Sequence, residues 1–275
     1  MKCKKFITLL LAGAMFAAYL PDMGVSGELG EVRAAEAAET PAYLDTSLSF
    51  EERAADLVSR MTLEEKAQQT ITSSAAAIPR LGVSQYNYWS EGLHGVARSG
   101  NATSFPHGLG IASTWNTDLV QEMGDAISDE ARGYSNETGK GLSYWSPTIN
   151  LARDPRWGRA EEGYGEDQFL TTAIAESYVN GMQGDDDTYL KTIATLKHFV
   201  ANNSEYNRHT GSSDVDERDL REYYSYTFKN VVENTDVASV MSSYNQLNGT
   251  PMPANEFMLT DLLRNTWGFD GYRCL

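Results

Sequence analysis

Four segments of the 275-residue chain concentrate residues able to do chemistry: YWSEGLHGVAR over 88–98, WSPTINLARDPRWGRAEEGYGED over 145–167, TLKHFVANNSE over 195–205 and SSYNQLNG over 242–249. Each opens on a strand-like run and closes on charged, amide and aromatic residues. Glu91, Arg159, Lys197, His198 and Tyr244 are the side chains singled out. A carboxylate accepts, a guanidinium or ammonium donates, and an imidazole or phenol does both. Forked donors and acceptors of this kind match vicinal hydroxyls, and Trp or Tyr offers a floor for an apolar ring face. The set therefore suits a neutral polyol ring. A phosphate pocket would need a glycine cradle and more positive charge.

Taken singly, each of these residues also has a plain structural reading. Glu91 could be a solvated loop carboxylate. Arg159 could bridge to Asp154 or Glu161, with Arg153 and Arg156 doing similar work. Lys197 and His198 could close an ordinary strand, and Tyr244 could be half-buried core. Trp89, Trp115, Trp145 and Trp157 read as packing.

The elements that must position these residues alternate. Helical spacing is read over 50–69, with a Thr62-x-x-Glu65 capping box marking a break near Thr62. Further helical patterns cover 117–131, 166–184, 219–234 and 255–267. Strand-like runs lie at 86–90, 142–148, 192–200 and 237–244. Strand and helix in alternation imply an α/β fold with a parallel sheet, either a (β/α) barrel or a doubly wound sheet. No GxGxxG follows the first strand, which argues against a dinucleotide fold. In a parallel barrel the loops after the strands open on one face, so residues distant in sequence can share one pocket.

The formal net charge is -16, from 22 Lys+Arg and 38 Asp+Glu. That field disfavours nucleic acid and fits a neutral partner. The two cysteines, Cys3 and Cys274, sit at opposite ends, and the four histidines are scattered, so no metal-ligand spacing and no cofactor are expected. Lys2, Lys4 and Lys5 precede an apolar run, FITLLLAGAMFAAYL, and then RAAEAAE. This is the order of a secretory signal peptide, expected over 1–36 and followed by a linker over 37–49. The apolar run is short for a membrane span. A secreted protein with no membrane association after cleavage is expected.

The motifs EGLHG, FPHGLGIASTWN, RDPRWGR with GYGED, KHF and SYNQLNG, in that order, resemble glycoside hydrolase family 3, the family of exo-acting β-glucosidases and β-xylosidases. The similarity runs from about Phe50 to Tyr272. It implies a (β/α)8 TIM barrel domain over 50–275, of which about the first six strands are expected here. It also implies that Glu91, Arg159, Lys197, His198 and Tyr244 hold the sugar at the cleavage subsite of a β-linked oligosaccharide or glycoside, the peptide between Lys197 and His198 often being strained in the family. Arg208 and Asp219 are placed near the rim. The family's glucosidases often carry aspartate where Glu91 stands. Glutamate is one methylene longer and would press on a hexose hydroxymethyl group, a difference worth roughly 1–3 kcal/mol. This hints at a xyloside or arabinoside, although glutamate also occurs there in related glucosidases.

Retaining glycosidases use two carboxyl groups about 5 Å apart. The family's nucleophile is the aspartate of a motif like GFDGYVVSD, whereas this chain reads Gly268-Phe269-Asp270-Gly271-Tyr272-Arg273-Cys274-Leu275. The nucleophile and acid/base are thus expected beyond Leu275. Arg-Cys is also unlike the Val-Val of a buried strand, and a one-base insertion ahead of codon 273 would account for the change. On this reading the 275 residues are a fragment of an exo-β-glycosidase, poorly soluble and inactive alone. The alternative is a sugar-binding remnant without chemistry. A third reading, an N-acetylhexosaminidase using His209 and Asp214, lacks that branch's KHFPGHG-like context.

Overall fold

The computed structural model describes residues 40–274. The signal peptide expected over 1–36, with Cys3, and the final Leu275 lie outside the described residues. The chain divides after Leu57 into two compact units. In the first, a 3-10 turn spans Ala42–Leu44, and the Tyr43 amide donates to Asp56 Oδ2 at 3.0 Å. Helix α1 (Phe50–Arg60) starts there, with the Glu52 amide donating to Ser49 Oγ at 3.2 Å and the Ser49 amide to Glu52 Oε2 at 3.0 Å.

The second unit begins at Val58, within α1, and contains the break expected near Thr62. Helix α2 (Leu63–Gln69) opens on the capping box read from the sequence: the Glu65 amide donates to Thr62 Oγ1 at 3.2 Å, and the Thr62 amide to Glu65 Oε2 at 2.8 Å. Losing such a cap costs ~1 kcal/mol. Thr62→Ala is therefore expected to speed amide exchange several-fold in α2 while α5, introduced below, keeps its protection. Equal exchange in α2 would count against the cap.

Four parallel strands make the central sheet in the order β1 (Ser143–Tyr144), β2 (Ile193–Phe199), β3 (Ser239–Ser242) and β4 (Tyr272–Cys274). The run 86–90 joins this sheet only at Ser90, by a parallel bridge to Tyr144. Its first residues, Tyr86–Asn87, pair antiparallel with Ser74–Ala75 instead. The central parallel sheet therefore has four strands among the described residues, fewer than the expected six. The sequence run was apolar enough for a strand, but its backbone partners lie in a local ribbon. β4 also departs from expectation. Tyr272 and Arg273 are exposed and only Cys274 is buried, because β3 is its sole neighbour among the described strands. Arg273 donates to the Leu259 carbonyl at 3.3 Å rather than facing the core.

Helices cover the sheet between strands: α3 (Gly108–Ala112), α4 (Thr117–Thr138), α5 (Gln168–Gln183) and α6 (Tyr226–Asn234). Their ends follow local chemistry. Asn116 caps α4 by accepting from the Leu119 amide at 3.1 Å, and Asp167 caps α5 by accepting from Leu170 at 2.7 Å. Gly139 ends α4 in the left-handed region at φ 70. The buried stripe Val120, Met123, Ile127 and Ala131 of α4 meets Ile174, Tyr178 and Met182 of α5. The pattern over 219–234 is not one α-helix: residues Leu220–Tyr224 are π-helical, as are Phe257–Thr266. In both, a hydroxyl reaches back five residues, Ser225 to the Leu220 carbonyl and Thr266 to Asp261, each at 2.7 Å. Side-chain competition for the backbone acceptor widens the turn. No helix among the described residues is long and apolar enough to cross a membrane.

Candidate functional site

The C-terminal ends of the parallel strands deliver the singled-out residues to one side of the sheet. Glu91 follows the Ser90 bridge, Arg159 lies in the long loop after β1, Lys197 and His198 close β2, and Tyr244 follows β3. β2 is buried almost throughout, yet it ends on two polar side chains, 3% and 5% exposed. Burial of this kind is costly unless each group is paired.

Glu91, Arg159 and Lys197 line a cavity of about 630 Å³ together with Glu162. Lys197 Nζ lies 3.3 Å from Glu91 Oε2, and Trp89 Nε1 donates to Glu91 Oε1 at 3.1 Å, so both carboxylate oxygens are held. Burial pushes the Lys197 amine below its ordinary value, and Glu91 and Glu162 offset part of that effect. Arg159 does not bridge to Asp154 or Glu161. It forms a fork with Glu162, Nε to Oε1 at 2.6 Å and Nη2 to Oε2 at 2.7 Å. Asp154 is taken by Arg156, and Arg153 binds Asn203 Oδ1 at 2.6 Å and lies over the Tyr224 ring.

Sequence reasoning missed Glu162, which lay one position from the expected bridge partner Glu161. Its spacing from Arg159, three residues across a 3-10 turn (Ala160–Glu162), was the available signal. Burial pushes its carboxyl up. The Arg159 hydrogen bonds and charge, with Lys197 and Thr148, outweigh that and leave it below its usual value. Its ion pairing therefore contributes stability above the ordinary carboxylate range, lost as pH falls through the lowered value. Glu162→Gln removes the charge that fixes the guanidinium. A loss of ~1.5–3 kcal/mol in stability, read from urea midpoints, is expected, since a hydrogen bond to a charged group is worth that much. An unchanged midpoint would show that Arg159 needs no such partner.

His198 sits beside Lys197 but is not among the cavity-lining residues. Asn150 holds it, accepting from its backbone amide at 2.8 Å and lying 3.0 Å from Nδ1. The peptide between Lys197 and His198 is cis. Tyr244 is half exposed and is not among the cavity-lining residues. The His209 ring lies 4.6 Å from its own, and the Arg208 guanidinium is 5.3 Å above it. Arg208 pairs with Glu205 at 2.9 Å, and Glu205 accepts from Trp157 Nε1 at 3.1 Å and acts on Arg159. A chain of charges thus runs from the cavity to Tyr244, but the five residues do not share one wall. Asp219 donates its backbone amide to Asp216, far from this chain of contacts in role. His209 and Asp214 make no hydrogen bond with each other among the described residues; Asp214 accepts from Ser212 Oγ at 2.6 Å.

The tryptophans divide. Trp157 is buried packing with a bonded indole nitrogen. Trp89, expected to be packing, instead stacks on Trp145 at 5.4 Å, carries the Arg98 guanidinium at 4.7 Å and reaches Glu91. Most of the remaining wall is one loop, residues 93–104. It is pinned by Thr103, whose hydroxyl donates to Glu130 at 2.7 Å, and by a Tyr134 hydroxyl bond to the Asn101 carbonyl. Gly95, at φ 136, leaves no room for a Cβ, which would stand 2.2 Å from the Thr103 carbonyl.

Comparison with known proteins agrees with this architecture. The glycosyl hydrolase family 3 N terminal domain matches residues 33–273. A β-xylosidase/α-L-arabinofuranosidase of Medicago sativa is 39% identical over 97% of this chain and 36% of its own length. A xylan 1,4-β-xylosidase of Xylanibacter ruminicola is 41% identical over 85% of this chain and 28% of its own. Among solved structures, an exo-β-xylosidase of the same family bound to a xylobiose aziridine probe superposes with a TM-score of 0.81 at 38% identity, covering 86% of this chain and 32% of that one. The β-glucosidase 3B of Thermotoga neapolitana with glucose bound gives 0.70 at 32% identity, over 80% of this chain and 33% of that one. The chain thus spans about a third of the length of these relatives, and its α/β sheet corresponds to part of their TIM-barrel-like domain. With a family match over most of its length and relatives near 40% identity, the chain belongs to glycosyl hydrolase family 3, a family of glycoside hydrolases.

Proposed function

We propose that this chain supplies the sugar-holding part of a retaining exo-β-glycosidase acting on β-xylosides, with Glu91, Arg159, Lys197, His198 and Tyr244 as its binding residues. One observation carries the reading: the Glu91 carboxylate is fixed through both oxygens, by Lys197 and Trp89, in a cavity that also holds the Arg159–Glu162 fork. A fixed carboxylate and ammonium side by side can accept from one ring hydroxyl and donate to the next. Because Lys197 and Trp89 tether Glu91, it cannot withdraw to admit a hydroxymethyl group, which favours a pentose. The relatives described as β-xylosidases support the same preference.

Both cavity carboxylates, Glu91 and Glu162, are ion-paired and so act as holders. The nucleophile and general acid/base of the retaining mechanism come from outside residues 40–274. Residues 1–36 direct export before removal.

The test is release of nitrophenol from β-D-xyloside and β-D-glucoside by the complete enzyme. A preference for xyloside of about 10–100-fold in kcat/KM is expected, reduced in Glu91→Asp. Equal rates for the two substrates, or an unaltered ratio in the variant, would remove the pentose reading. For the 275-residue polypeptide, saturable heat with xylose is expected.

A further inference from the structure

We propose that Asn150 is a positioning residue that holds His198 as the Nδ1–H tautomer, so that Nε2 is a bare acceptor for a sugar hydroxyl beside the donating Lys197. The inference rests on the sugar-holding reading above and deepens it. Asn150 Nδ2 donates to the His198 carbonyl at 3.1 Å, and Oδ1 accepts from the His198 backbone amide at 2.8 Å. These two bonds fix which end of the amide is oxygen. The same Oδ1 lies 3.0 Å from His198 Nδ1. An amide oxygen can only accept, so Nδ1 must carry the proton. In a neutral ring Nε2 is then unprotonated.

Nε2 is the atom left over for a ligand. It has no hydrogen-bond partner among the described residues, yet it is absent from the sealed, unsatisfied buried atoms of the structure. A ring 95% buried thus keeps its one free polar atom in reach of the solvent side of the sheet. The surroundings keep the imidazole neutral. Burial disfavours its charged form first, and Lys197, Arg159 and Arg208 are the charged groups acting on it, all cations. No carboxylate acts on it directly. The arrangement reads two neighbouring hydroxyls in opposite senses: one receives a proton-donating contact from Lys197 Nζ, and the other must donate to His198 Nε2. Asn150 itself is 4% exposed and follows β1 in the long loop, so it reaches the next strand's end without entering the cavity.

Two measurements test this. In the 275-residue chain labelled with 15N-histidine, His198 is expected to show a protonated-type Nδ1 and an unprotonated-type Nε2, and added xylose should move Nε2 in the direction of hydrogen-bond acceptance. An Nε2–H tautomer overturns the Asn150 assignment. The expected tautomer with an Nε2 that xylose leaves unmoved overturns the acceptor role and, with it, the sugar-holding reading. In the complete enzyme, Asn150→Ala should lower kcat/KM by about 10-fold at every pH, the value of one neutral hydrogen bond. Asn150→Asp keeps the shape but places a carboxylate on Nδ1, which favours imidazolium and turns Nε2 into a donor. Its kcat/KM should fall relative to the wild type on the acid side of the profile, where the imidazole takes up a proton, and recover as the pH rises. A merely structural role predicts pH-independent loss. An Asn150→Asp profile parallel to that of the wild type would overturn the proposal.

Discussion

Lys197→Met is expected to lower kcat/KM of the complete enzyme for a β-xyloside by about 10²–10³-fold while leaving its thermal stability unchanged or higher. Methionine fills nearly the same volume as the lysine stem, so packing at the end of β2 survives. What disappears is an ammonium 3% exposed, held 3.3 Å from Glu91 and acted on by Glu162. Its burial opposes the charge, so removing it relieves desolvation within the fold. The function suffers for the opposite reason. Glu91 is left without its cation, free to swing out with solvent, and one donor to the ring is gone. Losing a charged donor costs ~1.5–3 kcal/mol for each hydrogen bond, here one to the ring and one to Glu91, and each 1.4 kcal/mol is a factor of ten. Because the Glu91 carboxylate is only partly buried, the lower end of that range is the apt one. Steady-state kinetics and a melting curve on the same preparation check both halves. A loss below about fivefold, or a melting point that falls with the activity, would mean that the ion pair holds the fold rather than the sugar.

The largest expected effect on stability lies elsewhere, where α4 and α5 cross. A Cβ on Gly181 would meet the Gln121 carbonyl oxygen at 2.2 Å and the Asp125 amide nitrogen at 2.9 Å, all backbone of α4. Gly124 faces back: its Cβ would stand 2.9 Å from the Tyr178 carbonyl. The two helices touch main chain to main chain, and Ser128 Oγ donates across the contact to the Gly181 carbonyl at 3.1 Å. Gly181→Ala must therefore push the helices apart and open the packing of Ile127 against Ile174 and Tyr178, both fully buried. Overpacking against backbone, which cannot yield as a side chain does, is expected to cost about 3 kcal/mol. Gly133→Ala, on α4 with open space at its Cβ, is the control and should gain ~0.5–1 kcal/mol. Urea midpoints read both. Similar midpoints for the two variants would refute the close crossing.

Much of this was legible in the sequence for identifiable reasons. The Thr62 cap acts within four residues, so the start of α2 could be placed from local pattern alone, and apolar spacing located the starts of α4 and α5 to within two residues. The ordered motifs located Glu91, Arg159 and Lys197, which do share a cavity. What escaped depends on geometry across the sheet. The partner of Arg159 was misplaced by one residue because a 3-10 turn, unlike a loop, brings position three round to face it. The π-helical stretches were invisible because hydroxyls bonding five residues back leave the apolar spacing intact. The surroundings of Tyr244 were not legible either: it follows a strand end like the others, but loop packing turns its ring to Arg208 and His209. Asn150 carried no sequence signal, since its role exists only once β2 lies beside the loop after β1.

The wall built by residues 93–104 is separate in origin from the strand-end residues. It is one uninterrupted stretch, tied down at Glu130 and closed where the Phe105 amide donates to the His94 carbonyl at 2.8 Å. It is bonded back to the strand-end residues where the Ala97 amide donates to the Glu91 carbonyl at 2.9 Å. One short stretch thus carries most of the cavity wall, so exchanging it between homologues, or randomising it as a library, reshapes that wall while the central strands keep their own pairing.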